Sequence, residues 1–239
     1  MNIFKSIVIF GLATVACSSK PDPLRVLVIT GGHDFGQAEF FEMFRSKGID
    51  YLEVSHPEAN DWYGKPEIFH FDALVFYDMV QDISDLQKKQ LLSLTERGVG
   101  MVFLHHALVS YQEWDEFMHL LGGRYYLSTY QINGVELPAS GYQHDEKLRI
   151  AIADRTHPVT EGVNDFEILD EAYSGYRVLD DVHVLLTTDH PMSSPVVGWA
   201  NHRGSSRIVY LQSGHDRLAY ENPNYRQLVA NAIRWVSGN

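Results

Sequence analysis

One cysteine, Cys17, is all the thiol chemistry in a chain of 239 residues. Disulfides and cysteine-ligated metals are therefore excluded from whatever folds after it. Basic residues are few as well: 19 Lys and Arg stand against 31 Asp and Glu, for a net charge of −12. With no Lys/Arg cluster to release counterions from a phosphate backbone, nucleic acid is not expected as a partner. The glycines never fall into GxGxxG, nor into a P-loop with its Lys-Ser/Thr ending, which argues against nucleotide binding. No G-x-S-x-G elbow occurs and no cysteine is left to replace its serine, so acyl transfer from such an elbow fits poorly. What the chain does hold is histidine, 12 in all, a residue that ligates metal or moves protons near neutral pH.

The N-terminus has its own logic. "MNIFKSIVIFGLATVAC" carries one lysine, then an apolar stretch from Ile7 to Val15, then small residues leading to Cys17. The stretch is too short for a confident membrane span and suits export. The expected organisation is a signal peptide over 1–16, a tether over 17–23 beginning at a lipidated Cys17, and a folded domain over 24–239. That predicts an exported lipoprotein held to a membrane through modified Cys17, in a bacterial periplasm or at the cell surface. An uncleaved anchor or an ordinary signal peptide is the simpler alternative.

The remainder, roughly 215 residues, has the size of one domain with a large core. Strand-like runs occur at "RVLVIT", "YLEVSH", "ALVFYD", "GMVFLH", "LRIAIA", "VHVLLTT", "PVVGWA" and "RIVYLQSG". Apolar residues recur at helical spacing in "GQAEFFEMFRSKG", "SDLQKKQLLSLTERG" and "NYRQLVANAIRWVSGN". Continuous apolar strands alternating with helices predict an α/β, three-layer α/β/α sandwich around a mainly parallel open sheet. "NHRGSS" reads as a hairpin turn between the last two strands. The acidic "DFEILDE" reads either as a functional segment or as a solvated turn.

In such sheets ligands bind beyond the carboxyl ends of the strands, and this is where histidines accumulate. His33 and Asp34 follow the first strand, His105 and His106 follow "GMVFL", His190 follows "VHVLLTTD", and His215 and Asp216 follow "RIVYLQSG". Each alone could be a capping or hydrogen-bonded residue; arriving together at one edge they point to a site. Asp34 could instead cap the following helix. His105 stands where an elbow would present its side chain, and His106 points elsewhere if strand alternation continues. Asp170, Glu171 and Tyr173 add carboxylates and a phenol able to orient an imidazole, take a proton or complete a metal sphere. Trp62, Trp114 and Trp199 could form an aromatic wall for a sugar, or fill a core. His157 and His190, each before proline, read as loop markers, and His202 and Arg203 as turn residues.

The ordered set "GGH", "FLHHA", "LLGGRY", "THPVTEGVNDFEILDEAY", "VVGWANHRGSSRIVYLQSGHD" and a closing helix resembles the ThuA-like family, named after trehalose utilisation, from Arg25 to Trp235. The resemblance implies a flavodoxin-like or class I glutamine amidotransferase-like fold without the amidotransferase cysteine. It places family positions on His33, His105, Asp170, Glu171, Tyr173, Trp199, Gly214 and His215. Where relatives carry a histidine after "GG", this chain has Arg124, Tyr125 and Tyr126. The resemblance implies carbohydrate as the ligand, a sugar or an oxidised keto-sugar glycoside. On the residues alone, acid–base chemistry is expected from His33, His105, Glu171 and His215, with Asp34, His106, Asp170, Tyr173, Trp199 and Asp216 holding substrate. No organic cofactor is expected. A divalent metal held by some of His33, His105, Glu171 and His215 would stabilise a developing oxyanion. The competing expectation is a noncatalytic carbohydrate-binding lipoprotein.

Overall fold

The computed structural model describes residues 23–238. The leader expected over 1–16, Cys17, and the tether as far as residue 22 lie outside the described residues. The described residues form thirteen strands: β1 Arg25–Gly31, β2 Asp50–Ser55, β3 Ala73–Asp78, β4 Gly100–Leu104, β5 Gly123–Arg124, β6 Tyr130–Ile132, β7 Val135–Leu137, β8 Gly141–Ile152, β9 Phe166–Ser174, β10 Arg177–Val178, β11 His183–Thr188, β12 Val196–Arg203 and β13 Ser206–Leu211. Five helices accompany them: α1 Gln37–Arg45, α2 Asp85–Glu96, α3 Asp115–Leu121, α4 Arg217–Glu221 and α5 Pro223–Ser237. None of the described helices is long and apolar enough to cross a membrane.

Local chemistry sets the helix ends. Ser84 accepts from the Gln87 backbone N–H while Gln87 reaches back to Ser84, a capping box that starts α2. Asn222 accepts from Asn224 and Tyr225 ahead of Pro223 at the first helical position of α5, and Gly238 ends that helix in the left-handed conformation. Phe40, Phe41, Met43 and Phe44 make the buried face of α1.

Nine strands form one sheet in the order β2-β1-β3-β4-β13-β12-β11-β8-β9. Parallel pairings join β2, β1, β3, β4 and β13. Antiparallel pairings then add β12, β11, β8 and β9, so that only β12 and β8 run against the remaining strands. This is the expected α/β sandwich, with the expected hairpin turning between Arg203 and Ser206. Side chains alternate across the sheet. Val26, Val28, Val75, Val102 and Val209 face α1 and α5 on one side. Leu27, Ile29, Leu74, Phe76, Met101 and Phe103 face the other side, where Leu91, Leu94, Phe117 and Leu120 of α2 and α3 cover them. Burial on both faces explains why the strands read as unbroken apolar runs. Phe103 stacks on Phe76 with ring centroids 4.4 Å apart, so Phe103→Ala should cost ~3–5 kcal/mol, measured by denaturant unfolding.

The segment "FEILDEAYS" is β9 rather than a solvated turn. Its first residues alternate between buried and exposed, and Asp170 through Tyr173 are all buried. β8 is also longer than its apolar core suggested. It pairs with β11 only from Ile150 to Ile152, but with β9 all the way to Gly141 opposite Ser174. The outer ends of β8 and β9 therefore form a two-stranded ribbon that extends past β11, with a bulge between Gln143 and Glu146 where Asp145 takes a φ of 59°.

Candidate functional site

Three exits from the parallel half and the overhanging ribbon meet at one place. β1 ends in Gly31 and Gly32, with φ of 124° and 83°. A Cβ on Gly32 would lie 1.9 Å from the Met79 carbonyl oxygen, so only glycine makes this turn, and the turn delivers His33. β4 ends at Leu104, and His105 adopts a φ of 43° as it opens a short 3₁₀ turn over His105–Val109. A non-glycine residue held there costs conformational energy that the surrounding contacts must offset. The tight turn also breaks strand alternation, so His106 enters the same site instead of pointing away. After β13, Gly214 takes a φ of 123° beside the Tyr225 hydroxyl and leads into His215.

The ribbon is fastened to this edge by backbone hydrogen bonds. Asp170 accepts from the N–H of Gly214 at 2.7 Å, His215 at 3.0 Å and Glu171 at 2.9 Å. Gln212 donates its side-chain amide to the Glu171 carbonyl at 2.8 Å. Burial pushes the Asp170 carboxyl up, against the opposing pull of His105 and those three N–H groups. With its oxygens taken by backbone donors, Asp170 is a positioning residue, which corrects the expectation that it holds substrate.

Glu171 stands at the centre. Its Oε2 lies 3.0 Å from His105 Nε2 and its Oε1 lies 3.1 Å from His144 Nδ1. The Tyr173 hydroxyl is 3.0 Å from the same His105 Nε2, while His105 Nδ1–H donates to the Gln212 carbonyl at 2.5 Å. Around them His33 stacks on His106 at 4.1 Å, and His215 lies with its ring centroid 5.4 Å from His105, 5.6 Å from His106 and 4.8 Å from His144. Burial pushes the Glu171 carboxyl up, but the His105 hydrogen bond and the charges of His105, His215 and His144 outweigh it and hold it below the usual carboxylate range. Burial, with His105, His33 and His215 nearby, pushes His106 well down, and its Nδ1 has no partner. Burial also lowers His215 and raises Tyr173 well above the ordinary phenol. The site thus holds an ionised carboxylate, a phenol that keeps its proton, and two imidazoles, His106 and His215, whose charged forms are disfavoured.

A cavity of about 210 Å³ opens onto this group, lined by His33, His106, His144 and Glu171 and walled by Tyr125, Tyr142 and Tyr173. Its size is below the ~300–1,000 Å³ of drug-sized pockets. A larger cleft, about 720 Å³, runs along Thr30 to Phe35, Gln37, Glu53, Ser55 and His56 and shares only His33 with this cavity. The smaller cavity is the better candidate because the converging polar groups face it.

The expected residues sort plainly. His33, His105, His106, Glu171, Tyr173 and His215 come together. Asp34 is exposed in the larger cleft and does not cap α1, whose N-cap is Gly36. Asp216 accepts from the Leu218 N–H as the cap of α4 and borders a neighbouring depression of about 230 Å³. Trp199 is fully buried, donates to the Leu121 carbonyl at 2.8 Å and sits against Gly122 and Gly123, so it presents no face to a sugar. Trp114 is buried as well, and tyrosines supply the aromatic wall. His190 pairs with Glu146 at 3.3 Å, and His157 accepts from the Val159 N–H, both in loop roles. His144 was not anticipated. It lies on β8, whose partner strand was not read as a strand, and only that pairing brings it to Glu171.

Comparison with known proteins agrees with this fold. The family model described as ThuA, trehalose utilisation, matches residues 25–236. A ThuA-like protein from Parabacteroides merdae ATCC 43184 is similar in structure, with a TM-score of 0.73 and 18% identity over 90% of this chain and 90% of that one. Another from Bacteroides uniformis ATCC 8492 gives 0.66 and 19% over 92% and 94%. PurLQS from Thermotoga maritima gives 0.56 and 12% over 89% and 99%, which places the fold among class I glutamine amidotransferase-like structures. At these identities the likeness is one of fold. No curated protein matches the chain.

Proposed function

The chain belongs to the ThuA family, and from that premise we propose that it is an exported enzyme acting on a sugar or an oxidised keto-sugar glycoside by carboxylate and imidazole acid–base chemistry. The observation that carries the reading is Glu171, an ionised carboxylate between two imidazoles at the mouth of a cavity the size of one sugar ring. His105 is fully buried with Nδ1 committed to a carbonyl, so Glu171 is the better base. It takes a proton from the carbon beside a carbonyl, the C–H electron pair moves into the C=C bond, and the carbonyl oxygen becomes an enolate oxyanion. Collapse of the enolate then expels a glycosidic oxygen from the adjacent carbon, and that oxygen takes up the proton now on Glu171, relayed through an imidazole at His33 or His215, which restores the carboxylate. A carboxyl held below its usual range is a weak base, so the rate must come from stabilising that oxyanion. The leader sequence supports export and anchoring through Cys17.

The test is to incubate purified protein with sugars and their 3-keto derivatives and follow products by mass spectrometry. Wild type should form product and Glu171→Gln should not, while both bind the sugar. Binding without product across the panel would make the chain a carbohydrate-binding module.

A further inference from the structure

The way His105 is held raises a question of charge. Its Nδ1–H must donate, because the Gln212 carbonyl 2.5 Å away can only accept. A neutral His105 therefore turns a lone pair at Nε2 toward Glu171 Oε2, itself an acceptor, 3.0 Å away. The Tyr173 O–H, 3.0 Å from the same Nε2, can donate to that lone pair, while a cation between Nε2 and Oε2 would satisfy both acceptors at once. A proton on Nε2 would answer for this one contact. It leaves His106, only 3% exposed with Nδ1 unpartnered, and His215, both aimed into the same space. One ligand atom from each of His105, His106, Glu171 and His215 lies within 4.8 Å of the others.

We propose that these four side chains bind one divalent transition-metal ion of the zinc, cobalt or nickel class. Three imidazoles and one carboxylate suit such ions better than calcium or magnesium, which take oxygen ligands. Metal–nitrogen distances of roughly 2.0–2.1 Å put tetrahedral ligand atoms ~3.4 Å apart, so the four side chains, whose ligand atoms stand up to 4.8 Å from one another, would draw inward around the ion. The Nδ1–H contact of His105 to a backbone carbonyl is the outer hydrogen bond that fixes a metal-binding imidazole with Nε2 as donor. Asp170 does the same for the backbone of His215. His33 and His144 stay outside the set, on the cavity side, where an open position would meet a substrate oxygen. The inference deepens the reading of this site as one acting on a sugar carbonyl, and it rests on that reading only for what the ion would do.

The purified full-length protein is exchanged into Zn²⁺, passed through gel filtration and assayed for metal by mass spectrometry. A parallel sample is titrated with Co²⁺ and followed by its visible ligand-field bands. The expected result is about one equivalent per chain with intense bands of low-coordinate cobalt. Both should be lost in His106→Gln and His215→Gln and kept in His190→Gln. Because a buried variant can misfold, circular dichroism accompanies each one, and the half-buried His215 provides the milder substitution. Less than about a tenth of an equivalent in folded wild type, with no cobalt band, overturns the proposal. So does metal uptake that is unchanged in His215→Gln. Metal bound without turnover of any sugar would defeat the functional reading and leave the metal site standing. Turnover in protein that takes up no metal on exchange would do the reverse.

Discussion

Two buried imidazole–carboxylate pairs can be set side by side. His105 and Glu171 are 3.0 Å apart, and His56 and Asp78 are 2.9 Å apart, both near carboxyl ends of parallel strands. By distance they are equals. Glu171 has His144, Tyr173 and His215 around it and a cavity in front, and the imidazoles hold its carboxyl down. Asp78 has the single partner His56 and an unpartnered Oδ1, and burial pushes its carboxyl up despite the His56 hydrogen bond. The contact distance does not mark the site, and neither does an adjoining cleft, since His56 lines one too; the number of polar groups that converge does.

The comparison can be broken first on activity. Glu171→Gln should lower turnover by ~10²–10⁴-fold while far-UV circular dichroism is unchanged. Should Asp78→Asn reduce turnover as much, the two pairs are not different in kind. Stability should show the reverse order. Asp78→Ala strands His56 in the interior and is expected to cost ~3–5 kcal/mol in urea unfolding.

The pH dependence sharpens the contrast because the two carboxyls shift in opposite directions. The folded value of Glu171 lies below its unfolded one, so its stabilisation is present above about pH 4.3 and is lost as pH falls through the folded value. The folded value of Asp78 lies above its unfolded one, so its stabilisation is present below about pH 3.9 and is lost as pH rises through the folded value. The advantage of wild type over Glu171→Gln should therefore grow with pH, and that over Asp78→Asn should shrink, in unfolding curves across the acid range. Parallel slopes would contradict the opposite shifts. The smallest effect belongs to Trp199→Phe. Losing its hydrogen bond to Leu121 should cost ~0.5–1.5 kcal/mol, with sugar affinity unchanged by calorimetry.

The parallel half was legible because strands buried on both faces must be apolar throughout, and helices between them carry a 3.6-residue stripe. The site was legible where residues follow such strands directly, as His33, His105 and His215 do. It was not legible where a residue's position depends on register. "FEILDEAYS" concealed β9 because its acidic residues mask the alternation, and with β9 hidden nothing linked His144 to Glu171. Strand alternation alone points His106 away from the site, and it is the 3₁₀ turn opening at His105 that brings it in. Trp199 was misjudged because no composition rule separates a tryptophan under a sheet from one beside a ligand.

The fastening of the ribbon also bears on how the molecule comes into being. The bonds that close the site join residues 107, 66 and 44 apart in sequence, from His105 to Gln212, His105 to Glu171 and Asp170 to Gly214. Contacts so distant along the chain form late, after local helices and neighbouring strands have already ordered. A chain emerging from the ribosome therefore has no assembled cluster until its last hairpin has docked, so the imidazoles and carboxylates of the site stay apart during synthesis.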